Sequence, residues 1–178
     1  MEDLRGQKVR TAGGLQDEYI KLWGGVPTFV VWAEVYTAAQ RGIVDSIMTA
    51  TLAIKQSKVY EVCPYFFKID GPLGHNFFCV NTKSWNALSP KNQKIIRDVA
   101  TEWKNKIWHQ KVMVELDDVS LKEMVKTGQI KNVAELPMQE KVRMQKALIP
   151  IMKEYAKKHM QPKGPEAFDK ALKALKLE

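Results

Sequence analysis

Between Lys8 and Pro64 short β-rich runs alternate with helix-patterned runs, and the links between them leave room for little more than a turn. Val9 to Thr11 reads as a strand, and Leu15 to Leu22 as a helix that Trp23-Gly24-Gly25 closes with a glycine C-cap. "VPTFVVW", Val26 to Trp32, is β-rich again. "AEVYTAAQRG" then has helical spacing, with Val35, Ala38 and Ala39 inward and Gly42 as the stop. "IVDSIM" is a further short strand, and "TATLAIKQSKVYEVCP" a helix that runs to Pro64. Parallel neighbours need a crossover, and a helix between successive strands supplies it. The rhythm therefore predicts an α/β fold with a parallel sheet and right-handed crossovers.

The pattern changes further along the chain. "YFFKIDGPLGHNFFCVN" offers two aromatic strands about a Gly-Pro turn, expected as an antiparallel addition to the sheet. Ser89 and Pro90 supply an N-cap and a first helical position. A long amphipathic helix is expected beyond them, through Ile95, Val99, Trp103 and Ile107 to about Met124. "LPMQEKVRMQKALIPIMKEYAKKH" and "GPEAFDKALKALKLE" add two more helices. The expected organisation is an α/β unit over residues 1–88 and a helical region over 89–178.

Several function classes are disfavoured. No apolar run approaches the ~20 residues needed to cross a bilayer. The N-terminal "MEDLRGQK" lacks the apolar stretch of a signal peptide, so the chain is expected to be either cytoplasmic or a mature piece without its leader. The formal charge of +8 invites a nucleic-acid reading, but the first eighty residues are close to balanced. The excess lies in lysines such as Lys153, Lys157, Lys158, Lys170, Lys173 and Lys176, which alternate with Ala, Leu and Glu as on a solvated helix face. No aromatic-interleaved basic groove accompanies them, so no nucleic-acid partner is expected.

Enzyme chemistry finds no constellation to stand on. His75, His109 and His159 are far apart and lack metal-ligand spacing, and Gly13-Gly14 is no dinucleotide fingerprint. Glu115, Asp117 and Asp118 read as a solvated charge run. Cys63 and Cys79 lie symmetrically about Asp70-Gly71-Pro72, so a hairpin there could bring them face to face, though symmetry alone does not give disulfide geometry. No catalytic residue, metal or cofactor is expected.

What remains stands at the ends of the expected parallel strands, where open α/β sheets keep their ligands. Arg10 ends the first, Trp32 the second and Met48-Thr49 the third. An arginine there can grip a carboxylate through two parallel N–H···O bonds, which lysine cannot do. Trp32 could supply an apolar wall and Thr49 a hydroxyl. Pattern alone leaves the other reading open, with Arg10 solvated on the surface and Trp32 in the core.

The run "VPTFVVWAEVYTAAQRGIVDSI" resembles the "P…F-x-E-V-Y-T-A-L-Q-x-G-x-V-D-G" signature of solute-binding proteins from tripartite ATP-independent periplasmic (TRAP) transporters, of the dicarboxylate-binding type. Glu34-Val35-Tyr36-Thr37-Ala38, Gln40, Gly42 and Val44-Asp45 fall in register with it. "EDLRGQKVRTAGG" is similar to that family's "D-L-K-G-x-K-I-R-x-P-G", "KVYEVCPYF" to "K-x-Y-E-V-x-K-Y", and "VNTKSWNALSPKNQKIIRDVA" to "N-x-x-x-W-x-x-L-P-x-x-x-Q". The resemblance covers roughly Glu2 to Asp118.

The resemblance implies a periplasmic-binding-protein-like lobe, followed by long C-terminal helices. It assigns the carboxylate-binding arginine to Arg10 and the aromatic that packs on the ligand to Trp32. Thr49 takes the place of a ligand-contacting asparagine, and Ser46 that of a glycine. His75 and Asn76 match a cleft-facing loop. The implied partners are a small organic acid and the membrane permease of the transporter, in the periplasm. Family members are longer and two-lobed, so the chain is expected to be the C-terminal part of such a protein, with self-association a consequence if the first lobe is absent. The competing expectation is part of an α/β enzyme domain whose catalytic half lies elsewhere.

Overall fold

The computed structural model describes residues 4–69, 79–103, 116–160 and 162–174. Its first sheet holds β1 (Lys8–Thr11), β2 (Val26–Phe29) and β3 (Ser46–Ile47) in the order β2-β1-β3, with both pairings parallel. The crossovers are α1 (Leu15–Leu22) and α2 (Val35–Gln40), the latter preceded by a 3-10 turn over Trp32–Glu34. Pro27 has no N–H to give a second neighbour, and its place on the edge strand β2 suits that loss. Strand β2 is shorter than the β-rich run suggests, because the chain turns into the 3-10 segment at Trp32.

Alternation along β1 splits the core into two layers. Val9 faces one cluster with Tyr19, Ile20 and Trp23 of the α1 region and Met144 and Leu148 from α7 (Met138–His159). The opposite layer gathers Val30, Val35, Ala38, Val44 and Val59, with Ile47 packed against it. Helices therefore cover both faces, as a parallel sheet requires. Gly25 is where α1 comes closest to the sheet: a Cβ there would stand 2.9 Å from the Ile20 Cγ2 and 3.3 Å from the Val9 Cγ2.

Helix α3 (Thr51–Ser57) stops earlier than the sequence suggests. Lys58 adopts a left-handed φ of 56°, and a 3-10 turn over Val59–Glu61 follows. Strand β4 (Tyr65–Lys68) then pairs with β5 (Asn132–Glu135), and the pairing is parallel. Strand β5 was not foreseen, and β4's described partner is thus this distant strand. The expected antiparallel return falls largely on residues 70–78, outside the described residues. Cys63 is half-buried and Cys79 exposed, and both thiols are free.

The helical elements are α4 (Thr82–Asn86), α5 (Pro90–Glu102), α6 (Leu116–Lys126), α7 and α8 (Gly164–Ala174). Ser89 caps α5 as expected, its Oγ accepting from the Asn92 N–H at 3.3 Å with Pro90 in the first turn. The expected long helix is described as α5 and α6, with 104–115 outside the described residues. Helix α5 buries no residue, and Ile95, Ile96 and Val99 are exposed. Helix α7 lies along α1 and buries Met144, Leu148 and Ala156. Elements beyond residue 88 thus pack directly on elements before it.

Candidate functional site

Arg10 is 6% exposed, on a strand whose neighbours are Thr28 and Ile47 in register. Its Nε–H donates to the Val30 carbonyl at 3.0 Å, and its guanidinium carbon stands 5.2 Å from the centre of the Trp32 ring. A cation over an aromatic face is attracted by the ring quadrupole, by up to ~2 kcal/mol once water is excluded. Among the described residues no carboxylate pairs with Arg10. Burial pulls its pKa below the ordinary arginine value, the direction expected of a desolvated cation. A buried charge normally has a counter-charge. Here the protein supplies a carbonyl and a ring instead.

The loop after β1 is fixed by its own side chains. Thr11 is fully buried, and its hydroxyl donates to the Asp17 carboxylate. The Gly13 N–H donates to the Thr11 Oγ1 at 3.3 Å, and the Ala12 N–H to the Gln16 Oε1 at 2.8 Å. Trp32 is 41% exposed, so it is no core residue; it roofs Arg10 from the surface side. The solvated reading of Arg10 and the core reading of Trp32 are both at odds with this geometry.

The structure brings Arg10 and Trp32 together, while Thr49 lines a cavity that neither of them borders. The Met48 N–H donates to the Arg10 carbonyl at 3.1 Å, which ties the end of β3 to β1. Thr49 follows it and lines a cavity of about 650 Å³ whose wall includes neither Arg10 nor Trp32. That cavity lies between β3 and β4, among Val9, Trp23, Ile54, Cys63, Phe66 and Met144. Ser46 also lines it. The Trp23 Nε1 and the Ser46 Oγ are buried there without a hydrogen-bond partner in the described structure. Both are on the Val9 face, since Ser46 pairs with Val9 in register. His75 and Asn76 lie outside the described residues. Sequence reasoning missed the Val30 carbonyl, because a backbone acceptor carries no residue signature. It also passed over Phe29, which register alone places beside Thr11.

Among the described residues no cluster of His, Cys, Asp or Glu could hold a metal ion, and no helix is long and apolar enough to cross a membrane. Comparison with known proteins points one way. A solute-binding protein of Sulfitobacter sp. (strain NAS-14.1) is 26% identical over 156 residues, covering 87% of this chain and 46% of its own length. The ectoine-binding periplasmic protein TeaA of Halomonas elongata is 30% identical over 100 residues, 56% of this chain and 29% of its own. The sialic acid-binding periplasmic protein SiaP of Vibrio cholerae is 31% identical over 98 residues, 54% and 30% respectively.

The chain thus spans less than half the length of these relatives. Among solved structures, a TRAP periplasmic solute-binding protein from Sulfitobacter with bound α-D-taluronate superposes with a TM-score of 0.78 at 23% identity, covering 94% of this chain and 53% of that one. TeaA gives 0.78 at 24%, over 94% and 54%. The fold shared is that of a periplasmic binding-protein lobe. Residues 1–159 match the bacterial extracellular solute-binding protein family 7, and the chain belongs to that family, one of binding proteins rather than enzymes.

Proposed function

We propose that this chain supplies the carboxylate-holding part of a TRAP-transporter solute-binding protein, which captures a small organic acid and delivers it to the membrane permease. The observation that carries the reading is Arg10: a cation nine-tenths buried, oriented by the Val30 carbonyl and the Trp32 ring, with no acidic partner among the described residues. A ligand carboxylate completes the charge balance that the protein leaves open. The Nε–H is already engaged, so the terminal nitrogens of the guanidinium are the ones to meet it.

Trp32 packs against the bound acid, and Thr49, with His75 and Asn76, is the remaining candidate contact. Residues 1–88 would form the ligand lobe and 89–178 the helical region that braces it. The packing of α7 against α1 supports that division of labour. Relatives named for ectoine and sialic acid, and a structural neighbour with a bound uronate, favour the broad class of carboxylates over C4-dicarboxylates alone. Their periplasmic names support a periplasmic place of action.

Calorimetric titration with a panel of organic acids tests the reading. Arg10→Ala is expected to weaken binding by ~2–5 kcal/mol, the scale for removing one partner of a buried charge pair. Unchanged affinity in that variant would take Arg10 out of the site.

A further inference from the structure

The cavity between β3 and β4 has the size of a small-molecule site, about 650 Å³. Its wall takes Ser46 to Thr49 from one side and Pro64 to Phe67 from the other, and Trp23 and Met144 join from the Val9 cluster. Tyr65 and Phe67, 71% and 53% exposed, carry that wall out to the surface and give a ligand its approach.

Two polar atoms on the wall are buried without a partner among the described residues, the Trp23 Nε1 and the Ser46 Oγ. Trp23 is 5% exposed, and its indole nitrogen can only donate. Leaving such a donor unmatched costs free energy, and a molecule that brings an acceptor to it recovers that cost. The Ser46 hydroxyl can donate as well, and it stands on the same face, beside Val9 in register. Water alone would answer two polar atoms and leave most of the apolar volume unfilled.

Charge narrows the class of occupant. Among the described residues no lysine, arginine or histidine lines the cavity, and its one carboxylate, Asp45, accepts from the Lys8 N–H at 2.8 Å. An organic anion would lose its hydration there, meet no cation and lie near a like charge. A pure hydrocarbon would suit the wall but leave the indole N–H unmatched. Met48 and Met144, unbranched thioethers, let the wall adjust to the shape of what enters.

We propose that this cavity is a second binding site, for a small neutral apolar molecule bearing a carbonyl, an aryl ketone being the model ligand. Its oxygen accepts from the Trp23 indole N–H and the Ser46 hydroxyl. The site is separate from the Arg10 end and does not depend on the carboxylate reading, since neither Arg10 nor Trp32 borders it.

Titration of the full chain with acetophenone, its hydrocarbon analogue ethylbenzene and the acid benzoate tests the proposal. Binding is read by calorimetry, and its place by the rate of thiol labelling at Cys63, which lines the cavity. Cys79→Ser leaves Cys63 as the single thiol. Acetophenone at about ten times its Kd should slow Cys63 labelling about tenfold, by mass action. Trp23→Phe keeps an aromatic ring and removes the N–H. It should weaken acetophenone about tenfold and leave ethylbenzene nearly unchanged. Ser46→Ala should act in the same direction, and it serves if Trp23→Phe melts early. Benzoate that binds without protecting Cys63 would support the separation of the two sites. Benzoate that protects Cys63 as well as acetophenone does would overturn the neutral class. Acetophenone binding that both variants leave intact, or ethylbenzene weakened by the same factor, would overturn the hydrogen-bonded carbonyl. Cys63 labelling that acetophenone leaves unchanged would overturn the site itself.

Discussion

The Arg10 end of the sheet and the cavity between β3 and β4 differ in what they leave unsatisfied. The cavity has a volume of about 650 Å³, yet its wall is mostly apolar and its charged residue, Asp45, already accepts from the Lys8 N–H at 2.8 Å. Among the described residues its unmet demands are one indole N–H and one hydroxyl. The Arg10 end holds a buried cation with no carboxylate partner among the described residues. A buried cation without a counter-charge is far more expensive than an unpaired hydroxyl, which is why the proposed acid site is placed at Arg10 and not in the cavity.

The largest expected effect separates the two regions outright. Arg10→Met should remove the ~2–5 kcal/mol contributed to acid binding. It should change the unfolding free energy by no more than ~1 kcal/mol, because relief from desolvation offsets the lost contacts to the Val30 carbonyl and Trp32. Thr49→Ala, on the cavity wall, should cost less than ~1 kcal/mol in binding. Equal losses in the two variants, read by calorimetry, would dissolve the contrast.

Met144→Ala is the mirror experiment. Met144 is buried in the Val9 cluster and lines the cavity. Truncation should lower stability by ~2–5 kcal/mol in a denaturant titration, with acid affinity per folded molecule unchanged. Loss of affinity at full folding would tie the cavity to the site. Ser46→Ala should be the mildest of the structural changes. Its Oγ has no partner among the described residues, so its removal should leave stability within ~1 kcal/mol or raise it. A clear drop in melting temperature would show that the hydroxyl is in use.

The thiols give the smallest and most local readout. Burial raises the Cys63 pKa above the ordinary 9.0, while Cys79 is exposed. At pH 8 a thiol reagent should modify Cys79 first, with Cys63 gaining speed only well above pH 9. The folded protein holds the Cys63 proton longer than the unfolded chain does. Its contribution to stability is therefore complete below the unfolded pKa and lost as pH rises through the folded one. Cys63→Ala should flatten the fall in stability on the alkaline side. Early labelling of Cys63 would mean that the cavity wall opens readily.

The parallel sheet was legible because each strand was followed at once by its crossover helix, with glycines marking the stops at Gly24 and Gly42. Strand β5 was not. Asn132–Glu135 half-buries a single residue of its four, so no alternation betrays it, and it exists only through pairing with β4, whose Tyr65 stands opposite Asn132. The early end of α3 was hidden for a different reason: the left-handed residue there is Lys58, not a glycine. Arg10 and Trp32 could be placed near the ends of the first two β-rich runs, though β2 itself stops at Phe29. The distance between them could not, since the 3-10 turn that swings Trp32 over the guanidinium has no sequence mark of its own.

Arg10 is aimed by a main-chain oxygen, and this has a consequence for how the protein can change over generations. No substitution at position 30 deletes a carbonyl, so the anchor keeps its orientation while the side chains around it drift. Trp32, whose ring also meets the guanidinium, is the neighbour least free to change; Phe29 and Val31 can be exchanged with the carbonyl's hold on Arg10 intact. In the proposed site, ligand preference could then shift while the cation keeps its aim.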